Sequence, residues 1–109
     1  MNILFICSRN QLRSPTAEQI WRNHSHWSVS SAGTSRNAKQ RVTADLIRWA
    51  DIIFFMEQKH KSRLMADFAR LLEYKSVHVL NIPDEYPYMA PELIQILKES
   101  VPDIIASTI

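Results

Sequence analysis

The segment Asn2 to Cys7 (NILFIC) is a short, continuous apolar run rich in Ile, Leu and Phe, the pattern of a strand buried on both faces. A polar turn follows, and from Ser14 the pattern becomes helical. Ser14 is placed to cap that helix, Pro15 fits its first turn and Glu18 its early turns, and the helix is expected to end near His24. Trp27 to Ser31 (WSVSS) alternates apolar and polar as a half-exposed strand does, with Gly33 closing it in a turn. Arg41 to Ala50 carries Val42, Leu46, Ile47 and Trp49 in a short helix that Thr43 can cap. Ile52 to Met56 (IIFFM) is a second all-apolar run, expected at the centre of a sheet. Lys59 to Leu72 spaces Leu64, Met65, Phe68, Leu71 and Leu72 as an amphipathic helix. Val77 to Ile82 (VHVLNI) predicts a fourth strand, Pro83 to Pro87 a loop, and Pro91 to Ile105 a final helix with Leu93, Ile94, Ile96, Leu97 and Val101 on its inner face.

The alternation β-α-β-α-β-α-β-α predicts an α/β fold, a four-stranded parallel sheet with helices on both faces. At 109 residues the chain is expected to form one domain with one active site. Ligands of such sheets sit beyond the carboxyl ends of the strands. Cys7 falls there after the first strand and Asp84 after the fourth.

Composition narrows the chemistry. Hydrophobic residues at 46% and charged residues at 22% are ordinary globular usage, against disorder and against a membrane span. Met1 to Cys7 is too short for a signal peptide and has no basic flank, so a cytoplasmic protein is expected. The single glycine, Gly33, leaves no glycine-rich nucleotide loop or dinucleotide fingerprint. A net charge of +2 suits an anionic substrate without requiring nucleic acid. Cys7 is the only cysteine and has no internal disulfide partner, leaving a structural thiol, an adventitious surface thiol or a nucleophile.

The segment Cys7-Ser8-Arg9-Asn10-Gln11-Leu12-Arg13-Ser14 decides among these. Lying between a buried strand and a helix start, it can converge several backbone N–H groups on one anion with the helix dipole behind them. A cysteine at the mouth of such a nest, with an arginine nearby, is favoured as thiolate. Arg13 can present a planar fork to two phosphate oxygens, Ser14 can donate a hydrogen bond to the sulfur, and Asn10 can brace the loop through its amide. The competing view makes Cys7 a core residue at a strand end and Arg9 and Arg13 solvated charges at a helix entry.

These residues resemble the low-molecular-weight protein tyrosine phosphatases, whose loop has the form C-x-x-N-x-x-R-S near the N-terminus. CSRNQLRS fits every fixed position, SPTAEQI is similar to the family's first helix, and SAGT (Ser31 to Thr34) to a family hallmark after the second strand. Ala38 to Leu64 is similar to the family's second helix, third strand and following helix. IPDEYPY (Ile82 to Tyr88) resembles the loop bearing the general acid. The resemblance implies Cys7 as nucleophile, Arg13 as phosphate binder and Asp84 as acid. Ser8, Arg9, Asn10, Gln11, Leu12, Ser14 and Tyr86 would line or support the substrate site, with no metal or cofactor.

The chain departs from the family pattern in four places. Arg9 stands where the family has glycine, Leu12 where it commonly has a second cysteine, and Glu85 where it has proline, which makes Glu85 an alternative acid. Only a few residues separate SAGT from the second helix, where the family carries a longer segment that supplies an aromatic wall of the cleft. Tyr86 and Tyr88 could stack on a substrate ring or pack the final helix. His24, His26, His60 and His78 lack metal-ligand spacing and are taken as non-catalytic, and Trp21, Trp27 and Trp49 as core.

The expected activity is phosphomonoester hydrolysis through a phosphocysteine, on phosphotyrosine in a protein or on a small aryl phosphate. The alternatives are a phosphate-binding module with little catalysis, a phosphatase acting on nucleotide or nucleic-acid phosphates, and arsenate reduction with an external thiol. The oligomeric state is not readable from the sequence.

Overall fold

A computed structural model describes residues 1–108. Its elements run β1 (Asn2–Cys7), α1 (Arg13–Ile20), β2 (Ser28–Gly33), α2 (Ala44–Trp49), β3 (Ile52–Phe55), α3 (Gln58–Leu72), β4 (Ser76–Val79) and α4 (Pro91–Thr108). All pairings are parallel in the order β2-β1-β3-β4, so the two all-apolar runs occupy the centre of the sheet. Ile3, Leu4, Phe5, Ile6, Ile53, Phe54 and Phe55 are fully enclosed.

Strand alternation splits the core between the two faces. Ile3, Phe5, Cys7, Ile52 and Phe54 point to one side and meet α1 and α4 through Ala17, Trp21, Leu93, Leu97, Val101 and Ile105. Leu4, Ile6, Ile53 and Phe55 point to the other and meet α2 and α3 through Ile47, Leu64 and Leu72. On the first side the Phe5 ring stacks on Trp21 at 5.7 Å and on Phe54 at 5.5 Å. Each such side chain, fully enclosed, contributes about 1.5–3 kcal/mol of hydrophobic stabilisation.

The element order agrees with the sequence reading, and the boundaries depart from it in ways that matter. Helix α1 starts at Arg13, with Leu12 in the capping position and no side-chain cap, so Ser14 lies inside the first turn and its hydroxyl is released for other use. The helix stops at Ile20, where His24 N–H turns back to the Trp21 carbonyl and tightens the chain into turns. Gly33 is not in a turn: it is the last residue of β2, in register with Cys7. Thr43 caps α2 as expected, its hydroxyl accepting from Leu46 N–H, although the helix itself begins only at Ala44.

The fourth strand ends at Val79 rather than Ile82. Leu80 and Ile82 still donate to Phe55 and Met56 carbonyls, but Asn81 adopts a left-handed conformation (φ 57°) that bends the run out of the ladder. Helix α4 continues past Ile105 and accommodates Pro102 in its interior. Its inner face is formed by Leu93, Leu97 and Val101, with Ile94 and Ile96 partly buried at its margin.

Candidate active site

The carboxyl ends of β1 and β3 and the chain beyond β4 converge on one cleft of about 430 Å³, lined by Cys7, Ser8, Arg9, Gln11, Leu12, Arg13 and Asp84. The loop from Ser8 to Leu12 joins β1 to α1, and the segment after β2 wraps it from outside. Thr34 N–H donates to the Cys7 carbonyl, Ser35 N–H to that of Ser8 and Lys39 N–H to that of Arg9. Gly33 makes this approach possible. A Cβ there would stand 2.4 Å from the Ser8 carbonyl oxygen, 2.6 Å from Ala38 Cβ and 3.0 Å from the Asn10 nitrogen.

Cys7 lies at the strand end, 3% exposed, with its Sγ 2.9 Å from Ser14 Oγ. A chain of hydrogen bonds fixes the direction of that contact. Asn10, buried and in the left-handed region (φ 56°), donates its amide to Ser14 Oγ at 3.0 Å and to Ser31 Oγ at 2.9 Å, and Ser31 donates to Glu18. Because Ser14 Oγ already accepts from Asn10, its own proton is free to point at the sulfur, where it stabilises a thiolate. Asn10 and Ser14 therefore stand behind the cleft and hold it, whereas Ser8, Arg9, Gln11 and Leu12 line it.

Arg13 is 2% exposed, and its outward contacts are already assigned. Nη1 donates to Glu57 Oε1 at 2.5 Å and to the Ile82 carbonyl at 2.8 Å, while Nε lies 3.8 Å from Asp84 Oδ1. Nη1 thus anchors the guanidinium, leaving the Nε and Nη2 edge for an oxyanion. The bend at Asn81 is what brings the Ile82 carbonyl to Arg13. Glu57 is held below the usual carboxylate range, first by the hydrogen bond from Arg13, with Coulombic help from Arg13 and Lys59 outweighing the cost of burial.

Three residues after Glu57, His60 is enclosed in the same corner. Its Nδ1 accepts from Glu57 N–H at 3.0 Å, and its Nε2 lies 2.9 Å from Ser8 Oγ. Burial, then the nearby Arg13 charge, push its pKa down to about 4, so the ring is neutral above that pH. A neutral ring that accepts at Nδ1 carries its proton on Nε2 and donates to Ser8. The cap and first turn of α3 therefore grip the β1–α1 loop at both ends, Arg13 just after it through Glu57 and Ser8 at its start through His60.

Neither position stands out in the sequence, where His60 reads with the other histidines as non-catalytic and Glu57 carries no recognised motif. The available signal was E-x-x-H directly after the central strand IIFFM, at the ligand-bearing edge. Tyr86 departs from expectation in the opposite sense. It packs partly buried against the α1/α4 side of the core and does not line the cleft, because the loop after Ile82 folds back onto α1 through Met89 N–H to Thr16 Oγ1. Tyr88 is exposed and borders a separate groove. Of the two acidic neighbours, Asp84 lines the cleft and Glu85 does not. No aromatic side chain lines the cleft, in keeping with the short connection after SAGT. Among the described residues no cluster of metal-ligating side chains occurs, and no helix is long and apolar enough to cross a membrane.

Comparison with known proteins agrees with this geometry. Residues 2–49, which include the whole loop, match the family described as low molecular weight phosphotyrosine protein phosphatase. No curated protein matches the sequence at a significant level. Among solved structures, the low molecular weight protein tyrosine phosphatase SP-PTP of Streptococcus pyogenes superposes with TM-score 0.80 at 16% identity, covering 99% of this chain and 93% of that one. The YwlE arginine phosphatase of Geobacillus stearothermophilus gives 0.72 at 20% identity, covering 97% and 94%. A YwlE arginine phosphatase mutant whose active-site serine is phosphorylated gives 0.73 at 22% identity, covering 95% of each chain. The loop-bearing portion is thus similar in sequence, and nearly the whole chain in fold, to the low-molecular-weight phosphatases.

Proposed function

We propose that the chain is a protein tyrosine phosphatase working through a phosphocysteine, with Cys7, Arg13 and Asp84 as its catalytic residues. The observation that carries the reading is their convergence: a thiol hydrogen-bonded to Ser14, an anchored arginine with a free edge, and a carboxyl at the mouth, all on one cleft. Cys7 Sγ attacks phosphorus in line, forming the S–P bond as the P–O bond to the leaving group breaks. Asp84 gives its proton to the departing oxygen. In the second step Asp84, now ionised, takes a proton from water as that water attacks phosphorus, which breaks the S–P bond and releases inorganic phosphate and the thiolate. Arg13 and the loop N–H groups hold the equatorial oxygens in both transition states. Tyrosine-directed chemistry draws its support from the family whose model matches the loop-bearing portion.

Arginine phosphatases share the fold, but a phosphoarginine substrate would bring a guanidinium toward Arg9, which meets no carboxylate among the described residues. Phosphotyrosine meets no such repulsion. The test is phosphate release from p-nitrophenyl phosphate, a phosphotyrosine peptide and a phosphoarginine peptide between mildly acidic and neutral pH. Turnover of the first two that vanishes in Cys7→Ser and falls about 100-fold or more in Asp84→Ala is expected. Preferential turnover of phosphoarginine would overturn the tyrosine assignment and keep the phosphatase.

A further inference from the structure

The cleft holds two arginines in different electrostatic states. Arg13 is buried and compensated, with Glu57 on Nη1 and Asp84 near Nε. Arg9 lines the same cleft on the exposed side, and its guanidinium forms no hydrogen bond or ion pair with another described residue. Its backbone is nonetheless fixed, since its carbonyl accepts from Lys39 N–H at 3.0 Å and the neighbouring Ser8 carbonyl accepts from Ser35 N–H at 2.9 Å. The side chain therefore projects from a pinned base, with one uncompensated positive charge at the mouth. Gln11 and Leu12 on the rim are neutral and offer no aromatic face, and the one carboxylate lining the cleft, Asp84, lies beside Arg13 at 3.8 Å.

A phosphotyrosine ring leaving this cleft finds nothing to stack on, so discrimination between peptides falls to the charge at the rim. Resting on the tyrosine-phosphatase reading above, we propose that Arg9 forms a second anion subsite that selects phosphotyrosine peptides carrying an aspartate or glutamate next to the phosphotyrosine. The phosphoryl group takes the loop N–H groups and the free edge of Arg13. The flanking carboxylate takes Arg9. Because the subsite is exposed, its effect should be modest and sensitive to salt.

The test separates this subsite from the catalytic reading. Binding of paired phosphotyrosine peptides, one with a flanking glutamate and one with alanine, is measured by calorimetry on Cys7→Ser protein, together with kcat/KM on the native chain. The ratio between the two peptides is the readout, so any general effect of a variant on loop shape cancels. The expected preference for the acidic peptide is about fivefold at low ionic strength. It should shrink toward unity at about 0.5 M salt, fall to near unity in Arg9→Gln and persist largely in Arg9→Lys. An unchanged ratio in Arg9→Gln, or equal binding of both peptides by native protein that hydrolyses p-nitrophenyl phosphate, overturns the subsite and leaves the phosphatase. Stronger competition by a 5′-phosphorylated oligonucleotide than by the acidic peptide reassigns Arg9 to a nucleic-acid phosphate and also overturns it. Absence of both turnover and peptide binding removes the two readings together.

Discussion

At the scale of single residues, the guanidinium of Arg13 does its work only because other groups decide which of its edges faces the cleft. Nη1 is taken by Glu57 and by the Ile82 carbonyl, so the remaining edge has one orientation. Replacing Glu57 with glutamine keeps an acceptor of the same shape but exchanges a charge-assisted hydrogen bond for a neutral one, a difference of about 1–1.5 kcal/mol. In the Glu57→Gln variant kcat/KM toward p-nitrophenyl phosphate should therefore fall about tenfold. Glu57→Ala should lose more, and should also lower the melting temperature, because it leaves a 2%-exposed arginine without its closest carboxylate. Steady-state kinetics with thermal melts distinguish the two. Full activity in Glu57→Gln would mean that a neutral acceptor beside the Ile82 carbonyl holds the edge and that the charge at position 57 is not needed.

At the scale of elements, the two apolar runs NILFIC and IIFFM revealed the sheet centre because a parallel strand buried on both faces needs no alternation, only β-rich apolar length. The loop after the first of them was equally legible, since its chemistry lies within eight consecutive residues. What stayed hidden is non-local. Glu57 and His60 meet the loop across 44 and 52 residues of chain, and nothing in their own neighbourhood announces the partner. Tyr86 differs in the converse way: proximity to Asp84 in sequence suggests the cleft, and tertiary folding lays the partly buried ring against the core instead. Gly33 joins both lessons, a recognised turn-former whose actual duty is to let Ser8, Asn10 and Ala38 press against β2. In Gly33→Ala the Cβ meets backbone atoms that cannot swing aside. Destabilisation by about 1–3 kcal/mol is expected, with a melting-temperature drop of about 5 °C or more and a loss of kcat/KM as the loop shifts. A variant that melts like the native chain would show that the segment 34–39 can move off the loop without cost.

At the scale of the molecule, the same buried contacts tie global stability to pH. His60 is neutral in the fold with its pKa depressed to about 4, against an unfolded value near 6.5. As pH falls below about 6.5 the unfolded chain gains a proton that the native fold refuses, so stability declines until about pH 4, where the folded ring protonates as well. Between pH 7 and pH 5 this single group should remove roughly 2 kcal/mol. His78, lowered by burial and by Lys61, acts with the same sign as pH falls below about 6.5. Glu57, also depressed, acts below it, since its contribution is lost only as pH falls through and beneath its ordinary value of 4.5. Urea unfolding of the native chain, His60→Gln and His78→Gln at pH 7 and pH 5 separates the two histidines. The loss on acidification should be largest in the native chain, smaller in His78→Gln and smallest in His60→Gln, whatever the absolute stability of each variant. Equal losses in native and His60→Gln proteins would show that His60 takes up its proton without disturbing the fold. The contact from Nε2 to Ser8 would then not require the neutral ring, and α3 would hold the β1–α1 loop through Glu57 alone.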